Sequence, residues 1–346
     1  MSTEPLTYAD AGVNLKSWNK TKDRISSLVR STYTNNTVGT FGQFGGLFDI
    51  SMLKNYDNPI LVSSVDGVGT KLIIAHKLNK HDSVGEDIVN HCVNDILVMG
   101  AKPLYFLDYI GIGSLSPEVI ERIMIGLTSA CKKTGIVLIG GETAEMPDVY
   151  KNGEYDLTGT IVGIVDKSEI IDGSDILPGD IIIGLRSNGL HTNGYSLARK
   201  IVVGISKKNY SDVFEESGIT FGEELLKPHR AYIKLFSFFQ KKIIKGATHI
   251  TGGGFQENID RILPGKCSAV VDTKTWKPDP IFAFLQKNGS VENDEMYRTF
   301  NMGIGMTLIV SKKDTHKIME SETLAEYNPV IIGRIVDGNV QVIMEY

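Results

Sequence analysis

Short apolar runs alternate along this chain with longer stretches in which apolar residues return at helical spacing, and polar loops follow the apolar runs. Over residues 14–31, Ile25, Leu28 and Val29 recur among polar residues, just after Val13, as in a short amphipathic helix. Residues 59–65, which include Ile60, Leu61, Val62 and Val65, read as a buried strand. Residues 83–98 have helical spacing, with Asp82 or Ser83 placed to cap them, and residues 104–110 read as a strand. Ser116, Pro117 and Glu118 supply a cap, a proline at the first helical position and an early acid in that order. They predict a helix running to about Thr134 and stopped at Gly135. Residues 136–139 and 158–165 are two further strands, the first opening into Gly140, Gly141 and Glu142.

Turn signals at Asp172-Gly173-Ser174 and Pro178-Gly179-Asp180 predict a boundary, with domains over residues 1–170 and 171–346. Residues 181–185 begin a second strand-and-helix pattern, through a polar loop at 187–194 and then a helix. Thr248, His249 and Ile250 lead into a second glycine-rich turn, Gly252-Gly253-Gly254. Strands and helices alternate in both halves, so the expected class is α/β (α+β) in two domains. A chain of 346 residues also exceeds the size at which one core usually stops growing.

Composition narrows the function classes. Apolar residues make up 42% and charged residues 22%, ordinary for a globular enzyme. A net charge of −5, with basic pairs no longer than Lys207-Lys208 and Lys241-Lys242, gives no stripe for a nucleic-acid partner. Cys92, Cys131 and Cys267 are odd in number and far apart, which argues against a disulfide framework or a zinc site and fits a reducing compartment. The polar first ten residues carry no signal-peptide core, and no apolar run approaches the about 20 residues that span a bilayer. The expectation is a cytoplasmic protein with no membrane partner.

The densest chemistry is Asp66-Gly67-Val68-Gly69-Thr70-Lys71, at the tip of the strand at 59–65. Glycines let backbone N–H groups approach a polyphosphate, Lys71 offers a charge, and Asp66 can hold Mg²⁺ against the phosphates. The spacing matches neither a P-loop nor a dinucleotide fingerprint, and a tight turn with solvated charges is the plain alternative. Asp95 lies in an otherwise apolar helix, so it faces either solvent or a cation. Glu142 follows a strand and a glycine pair, where ligand-contacting acids gather in α/β folds. Asp66, Asp95 and Glu142 together could form the all-oxygen environment Mg²⁺ prefers. Residues 38–48 interleave four glycines with aromatics, either a lid over a ligand or a bulged strand start. His191, beside Asn188, Thr192 and Asn193, is an acid/base or phosphate-contact candidate, or else structural. The turn at Gly252, Gly253 and Gly254 either admits an anion or simply joins a strand to a helix. His76, His81 and His91 read as solvated or core residues, and Met296, Met302 and Met306 as core packing.

The ordered set of these motifs resembles the phosphoribosylformylglycinamidine cyclo-ligase (AIR synthetase) family of de novo purine synthesis. The resemblance runs from residues 8–13 to about Gly305. It includes Ser64 to Lys71, Cys92-Val93-Asn94-Asp95, residues 140–147, His191-Thr192-Asn193-Gly194-Tyr195-Ser196, Thr251 to Gly254 and residues 295–301. It implies an N-terminal domain whose strands pair across a homodimer into a β-barrel, and a C-terminal α/β domain. ATP would lie between the domains with Mg²⁺ on its phosphates. The implied reaction phosphorylates the amide oxygen of formylglycinamidine ribonucleotide. The amidine nitrogen then attacks, closing the imidazole ring and releasing phosphate.

By resemblance, Asp66, Asp95 and Glu142 are metal and phosphate residues, with Gly67, Gly69, Thr70 and Lys71 around the nucleotide. Gly42, Gly45 and Gly46 belong to a loop that folds over it. Lys71, His191 and Asn193 are the catalytic candidates, and Gly252 to Gly254 would cradle the ribose phosphate of the substrate. Gln43 departs from a more glycine-dense loop, and the last forty or so residues carry no motif. Alternatives are another ATP-dependent enzyme of the superfamily, selenophosphate synthetase-like or amidine synthetase-like, or a non-catalytic nucleotide-binding relative. The first needs a reactive residue in the N-terminal glycine-rich loop, where no cysteine precedes Cys92. The second is much longer, and retention of Asp66, Lys71, Asp95 and Glu142 argues against the third.

Overall fold

The structure is a computed structural model and describes Pro5, Thr7 and residues 15–239 and 242–346, without the side chains of residues 15 and 16. Residues 8–14 and Lys241, named above, lie outside the described residues. The first sheet holds β1 (Pro59–Gly67), β2 (Lys102–Ile112), β3 (Val137–Glu145) and β4 (Tyr155–Asp166) in the order β1-β4-β2-β3. Only β2 and β3 run parallel, and the crossover such a pair requires is the long helix between them, residues 117–134.

Three helices cover one face: α1 (Leu15–Arg30), α3 (Asp82–Leu97) and α4 (Pro117–Thr134), with the short α2 (Leu72–Leu78) leading into α3. The ends of α4 are the ones its sequence dictates. The Ser116 side chain accepts from the Val119 N–H, Pro117 opens the helix, and Gly135 closes it at φ +74°. Helix α3 is buried on nearly every side, Asp87, Asn90, His91 and Asn94 included, because it is enclosed by the sheet, by α4 and by the second domain.

Residues 59–65 form a strand, but not a buried one. Leu61 and Val65 are 63% and 64% exposed, because β1 is a sheet edge and its odd-numbered side chains point away from α3. Within one chain the four strands stay open; no closed barrel is present among the described residues.

The second sheet has six strands: β5 (Ile181–Arg186), β6 (Ile244–His249), β7 (Cys267–Asp272), β8 (Ile304–Val310), β9 (Val330–Asp337) and β10 (Val342–Glu345). Their order is β6-β8-β5-β9-β7-β10, antiparallel except for β7 with β10. Every residue of β8 is buried, and Met296, Met302 and Met306 lie in the core. The motif-free C-terminus supplies β9 and β10, so it completes the sheet. After the loop at 187–194 comes the short helix α5 (Tyr195–Arg199), which continues as a π-helical turn over residues 200–205.

Candidate functional site

Asp66 sits near the end of β1, and His91 and Asp95 sit one turn apart on α3, so all three meet where α3 crosses the strand. His91 Nε2 lies 2.9 Å from Asp66 Oδ2 and 3.7 Å from Asp95 Oδ2. Asp95 also accepts from the Ser64 hydroxyl at 3.1 Å and faces His249 Nδ1 at 2.8 Å. His249 ends β6, so this contact joins the two domains. Burial works to raise both carboxyls, but the hydrogen bonds and charge of His91 and His249 outweigh it, and both lie below the ordinary range. Both are therefore anionic at neutral pH, and Asp95 faces two histidines rather than open solvent.

Two further histidines complete the group. The rings of His191 and His229 stack at 3.9 Å, and His229 Nε2 is 2.9 Å from His249 Nε2. Donor atoms of His191, His229 and His249, and separately of His91, Asp95 and His249, lie within 4.8 Å of one another. The first trio is a poor metal site, because nearly parallel stacked rings (22° apart) cannot aim in-plane lone pairs at one ion. His191 is buried at φ +62°, and its Nε2 accepts from the Asn188 and Arg230 backbone N–H groups at 3.2 and 3.4 Å. Burial and nearby cationic groups push its pKa well down, so the ring is neutral. Its Nδ1 is buried with no hydrogen-bond partner.

Lys71 occupies a different place from the one its motif suggests. Its side chain is 0% exposed, and Nζ lies 2.8 Å from Asp87 Oδ2. The ammonium donates to Asp87 Oδ1 at 2.9 Å, to the His191 carbonyl at 3.1 Å and to the Lys227 carbonyl at 2.7 Å. Its three hydrogens are committed, so Lys71 ties the motif to the second domain rather than facing a phosphate. Thr70 repeats the link, its hydroxyl 3.1 Å from that of Ser196. Gly69, at φ +72°, has open space where a Cβ would stand, so its backbone is approachable.

On the second-domain side, Asn193 stands beside Gly252, where a Cβ would lie 3.5 Å from Asn193 Oδ1. Asn193 Nδ2 is buried without a partner. Gly253 precedes a short helix, α6 (Gly254–Ile259), and a Cβ on Gly254 would fall 1.8 Å from the Tyr297 carbonyl oxygen. That turn is thus held by close packing against residues 297–298.

Asp66 to Thr70, Asp95, His191, Asn193 and Gly252 to Gly254 converge on one interdomain region. Glu142 does not. Asp66 pairs with Gly159, Gly159 with Asp108 and Asp108 with Gly141, so Glu142 lies three strands from Asp66, about 14 Å. Being one residue beyond Gly141, it points from the opposite face, and it is exposed. The expected carboxylate set of Asp66, Asp95 and Glu142 is therefore not assembled within one chain. Gly42, Gly45 and Gly46 belong to the turn between two-residue strands at Thr37–Val38 and Leu47–Phe48, with Gly46 against Ile139 of β3. They share the Glu142 side of the sheet.

The sequence reading missed His229, His249 and Asp87, and took His91 for a solvated or core residue. The only local signals were the His91-to-Asp95 spacing of one helical turn and the position of His249 just before a glycine turn.

Comparison with known proteins agrees on one family. Residues 49–165 match the family described as AIR synthase related protein, N-terminal domain, and residues 178–345 its C-terminal domain. The chain is similar to phosphoribosylformylglycinamidine cyclo-ligase of Alkaliphilus oremlandii, 47% identical over 98% of this chain and 99% of that one. It is 48% identical to the protein of that name from Thermoanaerobacter pseudethanolicus, over 98% and 100%. Among solved structures, thiamine-monophosphate kinase of Stenotrophomonas maltophilia shares the fold at a TM-score of 0.66 and 17% identity, over 93% and 94% of the two chains. The hydrogenase maturation protein HypE in complex with ATP shares it at 0.62 and 16%, over 93% and 90%.

Proposed function

This chain belongs to the AIR synthase related family, and we propose on that premise that it closes the imidazole ring of a purine precursor. It converts formylglycinamidine ribonucleotide and ATP to aminoimidazole ribonucleotide, ADP and phosphate. The observation that carries the reading is the near-full-length identity to cyclo-ligases across both domains. The chemistry explains the need for ATP. An amide oxygen is a poor leaving group, whereas an oxygen carrying the γ-phosphoryl group leaves as phosphate when the amidine nitrogen attacks the same carbon.

In this reading Gly67, Gly69 and Thr70 line the phosphates of ATP, and the open Gly69 backbone supports that role. Asp66 and Asp95 are both anionic and partly accessible, which fits a divalent ion such as Mg²⁺. Mg²⁺ held there would neutralise phosphate charge. Asn193, with its free Nδ2, and the Gly252–Gly254 turn take the substrate's phosphate or reacting amide. His191 and Lys71 shape the site: the neutral imidazole offers one unpaired N–H, and the ammonium holds the two domains in register. Gly42, Gly45, Gly46 and Glu142 contribute from the other side of the first sheet.

We also take the chain to act as a homodimer, since Leu61 and Val65 on the open edge of β1 leave an apolar face to cover. The same function is consistent with the cytoplasm, and no described helix is long and apolar enough to cross a membrane. Purified protein incubated with ATP, Mg²⁺ and formylglycinamidine ribonucleotide should yield aminoimidazole product. Absence of product beside an active control enzyme would reject the reading.

A further inference from the structure

One buried side chain shapes the Gly252–Gly254 turn from beneath. Asn258 lies on α6, one helical turn after Gly254, and is 3% exposed. Its Nδ2 donates to the Gly254 carbonyl at 2.7 Å and to the Gly252 carbonyl at 3.2 Å, with the Thr251 carbonyl at 3.5 Å. Three carbonyls around one nitrogen fix which end of the amide is the NH₂ group. Oδ1 in turn accepts from the Thr251 hydroxyl at 3.4 Å.

In a trans peptide the carbonyl and the N–H point in opposite directions. The Thr251 carbonyl shares its peptide with the Gly252 N–H, and the Gly252 carbonyl shares its own with the Gly253 N–H. With both carbonyls turned in toward Asn258, both N–H groups face outward. Neither has an acceptor among the described residues. Gly252 is exposed and Gly253 half-buried, so both are within reach of a ligand. The nearby Glu257 carboxylate pairs with Arg298 Nε at 3.4 Å rather than with either N–H. Asn193, whose Nδ2 is also unpartnered, borders the same turn.

We propose that Asn258 is a positioning residue for the cyclisation. It holds the Gly252 and Gly253 N–H groups outward as paired donors to acceptor oxygens of the substrate, on its phosphate or its reacting amide. The proposal rests on the reading that this turn meets the substrate. Asn258 is too deep to touch a ligand itself, so its effect passes through the backbone. The effect is large because the turn is glycine. Glycine rotates freely about φ, so peptides without the Asn258 donor can flip and present carbonyls where the N–H groups stood. A carbonyl facing a substrate oxygen repels what an N–H would bind.

The test titrates the full chain, labelled with ¹⁵N-glycine, with formylglycinamidine ribonucleotide and follows the amide resonances. Those of Gly252 and Gly253 should move as the substrate binds. Ribose 5-phosphate and the riboside lacking phosphate are the two further arms, and the one that reproduces the shift names the group held. In turnover, Asn258→Ala should raise the KM for formylglycinamidine ribonucleotide about tenfold or more and leave the KM for ATP within about twofold. Asn258→Asp, which keeps the shape but loses the NH₂ donor, should do the same. Substrate binding that leaves both amide resonances in place overturns the proposal, whether or not the variants fold. So do KM values for substrate and ATP that rise together, or a substrate KM that stays unchanged. Binding needs no turnover, so shifted amides without aminoimidazole product would reject the cyclo-ligase reading alone.

Discussion

Substituting Lys71→Met separates two roles that the motif alone cannot distinguish. In the folded chain the Lys71 ammonium is fully buried between Asp87 and two backbone carbonyls. Methionine fills similar volume but leaves the Asp87 carboxylate with one strong donor, the His229 N–H at 2.7 Å. Breaking one side of a buried ion pair costs about 3–5 kcal/mol, and the stranded carbonyls of His191 and Lys227 add to it. That is a large part of the about 5–15 kcal/mol that holds an ordinary domain folded. Adding Asp87→Asn keeps an acceptor for His229 and removes the stranded charge, so the double variant should recover about 2 kcal/mol or more of the loss. Urea unfolding followed by circular dichroism measures all three proteins. If Lys71→Met shifted stability by less than about 0.5 kcal/mol and only raised the KM for ATP, Lys71 would be a phosphate contact and the strut account would be wrong.

Burial raises Asp108 from 3.8 to about 7, with the charge of Glu142 adding to the rise and its own backbone hydrogen bond opposing it. The folded chain therefore keeps a proton that the unfolded chain releases, so stability should fall as pH rises from about 4 to 7, by about 4 kcal/mol, and then level. Asp108→Asn should flatten that slope in urea midpoints taken at pH 5 and 8; parallel slopes in both proteins would contradict it. Asp66→Asn should lower kcat/KM by about a hundredfold or more while the chain stays folded, and normal turnover would end its metal role. Leu61→Lys with Val65→Lys should convert a dimer into a 38.0 kDa monomer in sedimentation, and an intact dimer would move the interface elsewhere.

What the chain reveals by itself depends on how local the determinant is. Helix α4 could be read end to end because Ser116, Pro117 and Gly135 act within a turn of where they stand. The strand at 59–65 could be read as a strand, but its exposure depends on which sheet position it takes. Asp66 and Asp95 stood out as acids in apolar surroundings. Their partner His249 lies 154 residues beyond Asp95, and no periodicity reports a contact across that distance. Lys71 misled because Gly-Thr-Lys at a strand tip resembles a phosphate loop. Asp87, sixteen residues on, and two carbonyls of the second domain turn its ammonium inward. Glu142 failed to join the metal set for a reason of register, which is decided by pairing in the sheet.

The central claim, that ATP activates the formyl oxygen so that it leaves as phosphate, is open to isotope transfer. Formylglycinamidine ribonucleotide carrying ¹⁸O in the formyl group is turned over by the full chain with ATP, and the released phosphate is weighed by mass spectrometry. The account predicts one ¹⁸O in each phosphate formed. Unlabelled phosphate, with the label lost to water, would contradict it.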